Sequence, residues 1–168
     1  MNVELLHVSL KKGDEPLVSG HQNNDYAAVS IIIVEESIVI EKRASSSIDP
    51  WSGQYCLPGG KYELEDSTLK KTAMRETLEE TGIDLGDQEY FGFFGPYSPL
   101  NRPNMRVYSY VFRLDHKPDF KKSDEIDSIF LVQLGKFNSK GKEFVFDDVR
   151  IWGLTARILS KFCEILGL

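Results

Sequence analysis

The chain has 168 residues, of which 41% are hydrophobic and 27% charged, a balance typical of a globular protein with its own hydrophobic core. Its formal net charge of −6, without a cluster of Lys and Arg, argues against a nucleic-acid polymer as partner, because polymer phosphates are held by such clusters. Two distant cysteines, Cys56 and Cys163, argue against a disulfide framework or a zinc site and favour a cytoplasmic location.

No signal peptide and no membrane-spanning segment is expected from the sequence. The first ten residues lack the charged-then-apolar order of a signal peptide. No apolar run approaches the roughly 18 residues needed to cross a bilayer, so no membrane partner is expected. Repeats and long linkers are also missing, and we predict a single domain over residues 1–168.

The hydrophobic pattern predicts strands interleaved with two main helices. Residues 27–34 form a β-branched run typical of a buried strand, and residues 37–43 are its predicted hairpin partner. After a loop and a short strand at 55–57, Ser67 or Thr68 is expected to cap a helix that ends near Thr81, with Gly82 in the left-handed conformation. The later predicted elements are strands at Tyr90–Phe94, Met105–Leu114 and Ile129–Leu134 and a C-terminal helix with an apolar face of Leu154, Ile158, Phe162 and Ile165. This order predicts an α/β fold, an α/β/α sandwich with a mixed β-sheet between helices.

Three glutamates near the end of the first predicted main helix are placed unfavourably for stability alone. Glu76, Glu79 and Glu80 share one helical face, where like charges cost roughly 0.2–0.5 kcal/mol per pair, and the helix dipole disfavours anions at this end. One interpretation is a solvated acidic face relieved by an Arg75–Glu79 pair. The other is neutralisation by Mg²⁺ or Mn²⁺, which prefer oxygen ligands, with a backbone carbonyl at Gly59 as a further donor.

The segment that contains these glutamates resembles the Nudix box, whose usual form is G, five residues, E, seven residues, then R-E-U-x-E-E-x-G-U with U aliphatic. Gly60 fits the first position, and residues 75–83 (RETLEETGI) fit the end. Two departures are visible: Thr77 replaces an aliphatic residue, and Asp66 replaces the first Glu and is followed by eight residues rather than seven.

Three features are similar to the coenzyme A pyrophosphatase-like branch of this family. They are the Asp with its longer spacing, the segment Ser52–Gly60 before the box, and the C-terminal segment Ile151–Ala156 (IWGLTA). A fourth feature departs from that branch, because its upstream motif carries a second Arg where this chain has Asp49.

The resemblance implies a Nudix hydrolase with a Mg²⁺ or Mn²⁺ cofactor. Its metal ligands would be the carboxylates of Glu76, Glu79 and Glu80 together with the Gly59 carbonyl, and Arg75 would orient those carboxylates. The general base would be Glu79 or Glu125, the latter on a loop where many family members carry an acid.

Three further residues are candidates for binding the substrate. Arg43 would contact a phosphate or is an exposed arginine at a strand end. Trp51 would stack on a base or anchor its loop. Gly60 would let the substrate approach the backbone closely.

The resemblance also implies the substrate class, a small-molecule nucleoside diphosphate linked to another group, with a coenzyme A-like molecule as the leading candidate. ADP-ribose, dinucleoside polyphosphates and (deoxy)nucleoside tri- or diphosphates remain alternatives. So do an isomerase that uses Cys56 and a nucleotide-binding Nudix domain without catalysis. Family members are often dimers, and a homodimer through the aromatic stretch Tyr90–Tyr97 is a further expectation.

Overall fold

Strands and helices alternate along the chain as the hydrophobic pattern predicts. The computed structural model describes residues 3–13, 15–18, 25–47, 51–137 and 143–168, so Asp49 lies outside the described residues. The elements in chain order are α1 (Val3–Ser9), β1 (Tyr26–Val34), β2 (Ser37–Arg43), β3 (Tyr55–Cys56), β4 (Gly59–Lys61), α2 (Leu69–Thr81), β5 (Glu89–Tyr97), β6 (Arg106–Leu114), β7 (Ile126–Gln133), β8 (Glu143–Phe146), β9 (Val149–Trp152) and α3 (Gly153–Leu166).

Strand β1 is the centre of a mixed sheet of seven strands in the described part of the chain. Along one edge it pairs in parallel with β6 over its whole length, and β6 pairs in turn with β5. Its other edge is divided: residues 27–29 pair with β4, and residues 33–34 pair with β2. Strand β2 then pairs with both β3 and β7. The start of β1 and the end of β2 therefore lie at the same end of the sheet, beside β4.

The helices cover both faces of this sheet. Ile31 and Ile33 of β1 belong to a core shared with α1 and α3, whereas Ala28 and Ile32 belong to a core shared with α2. This alternation follows from the two-residue period of a strand. The predicted α/β/α sandwich with a mixed sheet is therefore confirmed. None of the helices in the described part of the chain is long and apolar enough to cross a membrane.

Several elements differ from the pattern predicted by hydrophobicity. Helix α1 was not predicted, because its seven residues offer too short a periodic signal. Strand β4 was not predicted either, because its Gly-Gly-Lys sequence has a low strand propensity and gains its pairing from β1. Strand β7 begins three residues earlier than expected, and the hairpin of β8 and β9 was also missed.

The boundaries of α2 follow its capping residues. Thr68, rather than Ser67, is the N-cap, and its side chain accepts a hydrogen bond from the Lys71 backbone N–H at 3.2 Å. Gly82 ends the helix with φ 75°, as expected for a left-handed C-terminal glycine. Both ends of the helix that carries the glutamates are thus set by local sequence.

The unusual Thr77 of the box has a partner in the sheet. Its buried hydroxyl donates to Ser30 Oγ of β1 at 2.8 Å, and Ser30 Oγ donates to the Ala73 carbonyl at 3.2 Å. A buried hydroxyl without a partner would be costly, so Ser30 compensates for the missing aliphatic residue. This bond joins α2 to the central strand next to the box.

The aromatic stretch of β5 packs largely inside the chain. Phe91 lies in the core under α1 and α3, and Phe93 lies in the core under α2. Their side chains are therefore committed to intramolecular packing. The homodimer stays a prediction.

Candidate active site

Arg75 is the hub of the box because its guanidinium contacts Asp66, Glu76 and Glu79 closely and lies 4.0 Å from the Glu63 carboxylate. Its Nε and Nη2 donate to the two oxygens of Asp66 at 2.7 and 3.1 Å. Its Nη1 lies 3.0 Å from Glu76 Oε1 and donates to Glu79 Oε2 at 3.1 Å. The two-pronged bond to Asp66 is the geometry that only arginine can provide. The Arg75–Glu79 pair expected from the i, i+4 spacing is therefore present, with Asp66 as an additional anchor.

Asp66 reaches Arg75 from a turn that absorbs the extra residue of the box. A single 3-10 turn at Leu64–Asp66 is followed by Ser67 at φ 60°, which redirects the chain into α2. Asp66 also accepts hydrogen bonds from the Glu63 backbone N–H at 3.0 Å and from Thr72 Oγ1 at 2.8 Å. Burial opposes its ionisation, but these bonds and the Arg75 guanidinium outweigh burial and hold the pKa of Asp66 below its ordinary value.

Replacing Asp66 by asparagine is expected to loosen this hub. The substitution keeps the shape but removes the charge that two guanidinium bonds need, so we expect a loss of about 1.5–3 kcal/mol in the free energy of unfolding. Because Arg75 also holds Glu76 and Glu79, kcat is expected to fall at least tenfold. Urea unfolding and steady-state kinetics check both effects, with the exposed neighbour Glu65→Gln as control. Unchanged kcat in Asp66→Asn would show that Arg75 needs no anchor.

Glu80 is the buried member of the three box glutamates, with 5% of its surface exposed. Its Oε2 accepts a hydrogen bond from the Gly59 backbone N–H at 2.8 Å, and its Oε1 lies 3.9 Å from Arg43 Nη1. Burial, and then the nearby carboxylate of Glu41, raise the pKa of Glu80 to about 9. Gly59 therefore contacts the box through its N–H, and the ligand role of its carbonyl stays a prediction.

Neighbouring atoms lie so close to the two glycines of β4 that no side chain fits at either position. A Cβ on Gly60 would collide with the Glu76 carboxylate, and a Cβ on Gly59, at φ 152°, would collide with the Ala28 carbonyl of β1. Glycine at both positions lets the Glu76 side chain lie directly against the β4 backbone. Burial raises the pKa of Glu76 as well.

The donors at this place fit a hard divalent cation. Glu76 and Glu80 supply carboxylate oxygens from the face of α2 that lies on the glycines, and Glu79 lies at its rim with 57% of its side chain exposed. Oxygen ligands of this kind suit Mg²⁺ and Mn²⁺. In the described part of the chain, however, no three acidic, His or Cys side chains already converge as a metal-binding group. Arg75 instead bridges Glu76 and Glu79.

The loop before β7 brings Glu125 to the same end of the sheet. The Ser123 backbone N–H donates to the Glu80 carbonyl at 3.2 Å, and the Glu125 carbonyl accepts from the Ala44 N–H at 2.8 Å. The loop therefore runs from the end of α2 to the end of β2, next to Arg43. The Glu125 side chain is exposed there.

Trp51 lies on the loop that leads into β3. Its carbonyl accepts from the Gln54 N–H, and the Gln54 carbonyl accepts from the Arg43 N–H. The Arg102 guanidinium lies 5.0 Å from the centre of the Trp51 ring, a cation–π distance. Stacking of a base on that face of Trp51 would require Arg102 to move.

Sequence reasoning missed Glu41, which the fold places beside Glu80. Glu41 lies in β2 and is fully buried, and its Oε1 accepts from Cys56 Sγ at 3.4 Å. Burial raises the pKa of Glu41 to about 7. A signal was available, because an acid inside a predicted buried strand needs a partner. The same contact shows that Cys56 is more than a small apolar residue.

In metal-free protein we expect the free energy of unfolding to fall as pH rises from 6 to 9. Because the pKa values of Glu41 and Glu80 are raised to about 7 and about 9, the folded state keeps protons that the unfolded chain has released. Their contribution is full below the ordinary glutamate value of 4.5 and is lost as pH rises through the folded values. Urea unfolding in EDTA checks the slope, at most about 1.4 kcal/mol per pH unit for each proton. Glu80→Gln should flatten it, and a wild-type curve that rises with pH would contradict the expectation.

A family model and two relatives that match this chain indicate one family. The NUDIX domain family model matches residues 25–149. The human protein "Mitochondrial coenzyme A diphosphatase NUDT8" is 28% identical over 143 residues, which are 74% of this chain and 61% of that protein. "Nudix hydrolase 22, chloroplastic" from Arabidopsis thaliana is 31% identical over 168 residues, which are 83% of this chain and 55% of that protein. The chain thus spans little more than half the length of these relatives.

Solved structures share the fold. A MutT protein from Methanosarcina mazei Go1 aligns with a TM-score of 0.56 and 24% identity, over 84% of this chain and 94% of that one. A C. elegans Ap4A hydrolase aligns with a TM-score of 0.60 and 16% identity, over 84% and 98% of the two chains. The family model covers most of the sheet, α2 and the whole box with its Arg75 hub. On this evidence the chain belongs to the Nudix family.

Proposed function

We propose that this chain is a Mg²⁺- or Mn²⁺-dependent hydrolase that cleaves the phosphoanhydride bond of a nucleoside diphosphate linked to another group. The observation that carries the proposal is the arrangement around Arg75 and β4. One guanidinium engages Asp66, Glu76 and Glu79, while the Gly59 N–H holds Glu80. A helix built only for stability would not carry Glu76, Glu79 and Glu80 near its C-terminal end, where the helix dipole is negative.

Each box residue has a distinct part in this proposal. Glu76, Glu79 and Glu80, together with the Gly59 carbonyl, would hold the divalent ions. The chemistry supplied by bound ions would be neutralisation of charge on the phosphate oxygens and activation of the attacking water. Arg75, itself fixed by Asp66, limits the rotamers of Glu76 and Glu79. Glycine at position 60 lets the Glu76 carboxylate lie against the β4 backbone, which an added Cβ would prevent.

The reaction needs a base for the attacking water. Water attacks one phosphorus, the bond from that phosphorus to the bridging oxygen breaks, and the second phosphate leaves with the bridging oxygen. Glu79 or Glu125 takes the proton of the water. Both side chains are exposed, whereas Glu80 is buried.

A coenzyme A-like nucleoside diphosphate is the proposed substrate. Two relatives, the human and mouse proteins, are named as coenzyme A diphosphatases, each at 28% identity over 143 residues. The C-terminal IWGLTA segment, similar to that branch, forms the junction of β9 and α3. Arg43, 3.9 Å from Glu80, would contact a substrate phosphate from the end of β2. We further propose that residues 1–168 act as one Nudix domain.

A substrate panel with Mg²⁺ or Mn²⁺ tests the proposal. Coenzyme A, ADP-ribose, a dinucleoside tetraphosphate and deoxynucleoside triphosphates are compared by phosphate or nucleotide release. Metal-dependent turnover supports the hydrolase, and the preferred substrate decides the coenzyme A question. Binding of nucleotides by folded protein without turnover would instead support a non-catalytic Nudix domain. Full hydrolysis by Cys56→Ala would dismiss the isomerase alternative.

The names of two relatives give their cellular locations. The human relative is named as mitochondrial and the Arabidopsis relative as chloroplastic. A cytoplasmic location for this chain is retained as a prediction.

A further inference from the structure

Glu41 of β2 points to the face of the sheet on which α2 lies. Its sequence neighbour Ile40 belongs to the core under α1 and α3, whereas Val39 belongs to the core under α2. Because successive strand residues point to opposite faces, Glu41 shares the face of Val39. The side chain is fully buried, between its strand partners Cys56 and Ile129. A glutamate at this place in a sheet core needs a specific partner.

The two oxygens of Glu41 are in different situations. Oε1 accepts a hydrogen bond from Cys56 Sγ at 3.4 Å. Oε2 is buried, and no group among the described residues donates a hydrogen bond to it while the neighbouring Glu80 carboxylate is ionised; a proton on either group would instead join the two carboxyls by a hydrogen bond. Buried carboxylate oxygens are rarely left in this state, because the loss of hydration is not compensated. Oε2 is therefore an oxygen to which a ligand could bind.

The neighbours of Glu41 are acids of the box. Glu80 lies beside it, within reach of a side-chain hydrogen bond. Of the nearby guanidinium groups, Arg75 is engaged with Asp66, Glu76 and Glu79, and Arg43 lies 3.9 Å from Glu80. When Glu41 and Glu80 are both ionised, the acids at this place outnumber the guanidinium groups near them. A divalent cation matches both the excess charge and the oxygen donors.

We propose that Glu41 is a further ligand of the divalent cation bound by the box, contributed by β2 rather than by the box itself. The proposal rests on the metal-dependent function proposed above. Glu41 Oε2 would give a cation held by Glu80 one more oxygen ligand, while Cys56 keeps Oε1 in place. Glu41 thereby ties the site to the sheet as well as to α2.

Binding of Mn²⁺ alone to the full chain tests this without any substrate. Free Mn²⁺ is followed by electron paramagnetic resonance, and the dissociation constant is compared among wild type, Glu41→Gln, Glu41→Asp and Glu65→Gln. Glu41→Gln keeps an acceptor for the Cys56 thiol, and Glu65→Gln makes the same charge change at an exposed position outside the site. We expect Glu41→Gln to raise the Mn²⁺ dissociation constant about tenfold or more, since metal affinity follows ligand number and charge. Glu65→Gln should stay within about twofold of wild type.

The Glu41→Asp variant distinguishes direct binding of Mn²⁺ by Glu41 from an effect of its charge on Mn²⁺ affinity over a distance. Aspartate keeps the charge but is shorter by one methylene, so a direct ligand loses its reach and the affinity falls. If Glu41→Asp binds Mn²⁺ as wild type does, Glu41 is not a ligand and the proposal is overturned. The same holds if Glu41→Gln binds like Glu65→Gln. Thermal unfolding with and without Mn²⁺ verifies that each variant is folded, and a smaller Mn²⁺-induced rise in Tm for both Glu41 variants is expected.

A parallel measurement on Glu80→Gln keeps the two proposals apart. Weakened Mn²⁺ binding in Glu80→Gln with unchanged binding in both Glu41 variants would overturn the role of Glu41 and leave the box site standing. Wild-type protein that binds no Mn²⁺ would overturn the proposed function together with this inference.

Discussion

Glu80→Gln is expected to lower metal-dependent turnover about 10³-fold while leaving the protein folded. In the proposed function Glu80 holds the divalent ion, and loss of such a carboxylate removes several kcal/mol of transition-state stabilisation, each 1.4 kcal/mol corresponding to a factor of ten. Folding should survive because the glutamine oxygen can still accept the Gly59 N–H bond that Glu80 Oε2 accepts at 2.8 Å. Steady-state kinetics on the preferred substrate of the panel measures the loss.

Stability gives this experiment an internal control. Since burial and Glu41 raise the pKa of Glu80, the neutral glutamine should keep or increase the free energy of unfolding at pH 8 without metal. A variant that is inactive and at least as stable as wild type has therefore lost chemistry rather than structure. Glu65→Gln, exposed and outside the site, should keep turnover within about twofold. Retained activity in Glu80→Gln would exclude a catalytic role for this carboxylate.

Either Glu79→Gln or Glu125→Gln is expected to lower kcat by about 10²–10⁴-fold, the usual contribution of a general base. The structure gives each candidate a different environment. Glu79 Oε2 accepts from Arg75 Nη1 at 3.1 Å, which orients the carboxylate. Glu125 is exposed on a loop tied to both Glu80 and Ala44 through backbone hydrogen bonds. The base variant should change kcat far more than KM.

Mn²⁺ affinity distinguishes a ligand from a base in this pair. A glutamate that binds the cation weakens Mn²⁺ binding when it is replaced, whereas a glutamate that only takes the proton leaves binding unchanged. Asp124→Asn, an exposed neighbour of Glu125 on the same loop, is the matched control and should keep kcat within about threefold. If neither Glu79→Gln nor Glu125→Gln loses about 10²-fold, both assignments of the base are wrong.

The Asp66 variation shows how the box can change without losing its hub. An aspartate is shorter than the usual glutamate, and one extra residue follows it before Arg75. The 3-10 turn and the positive φ of Ser67 compensate for both changes and deliver both Asp66 oxygens to Arg75. Thr77 is a similar case: it stands where the box usually has an aliphatic residue, and its hydroxyl makes a buried hydrogen bond to Ser30 in place of an apolar contact.

Local sequence alone was enough to predict the main elements and the box. The boundaries of α2 follow from Thr68 and Gly82, because caps act within one turn of the helix. The shared face of Glu76, Glu79 and Glu80 follows from helical spacing, and the buried strand β1 follows from its β-branched run. These features depend on residues a few positions apart, and the motif resemblance therefore led to the right family and fold.

Only the tertiary structure decided which distant residues meet the box. Pairing of β1 with β4 brings Gly59 to Glu80, and the position of β2 brings Glu41 to the same carboxylate from 39 positions earlier in the chain. Local periodicity predicted neither contact, because strand register and the packing of α2 depend on the whole core. The burial that raises the pKa of Glu80 and separates it from the exposed Glu79 has the same origin.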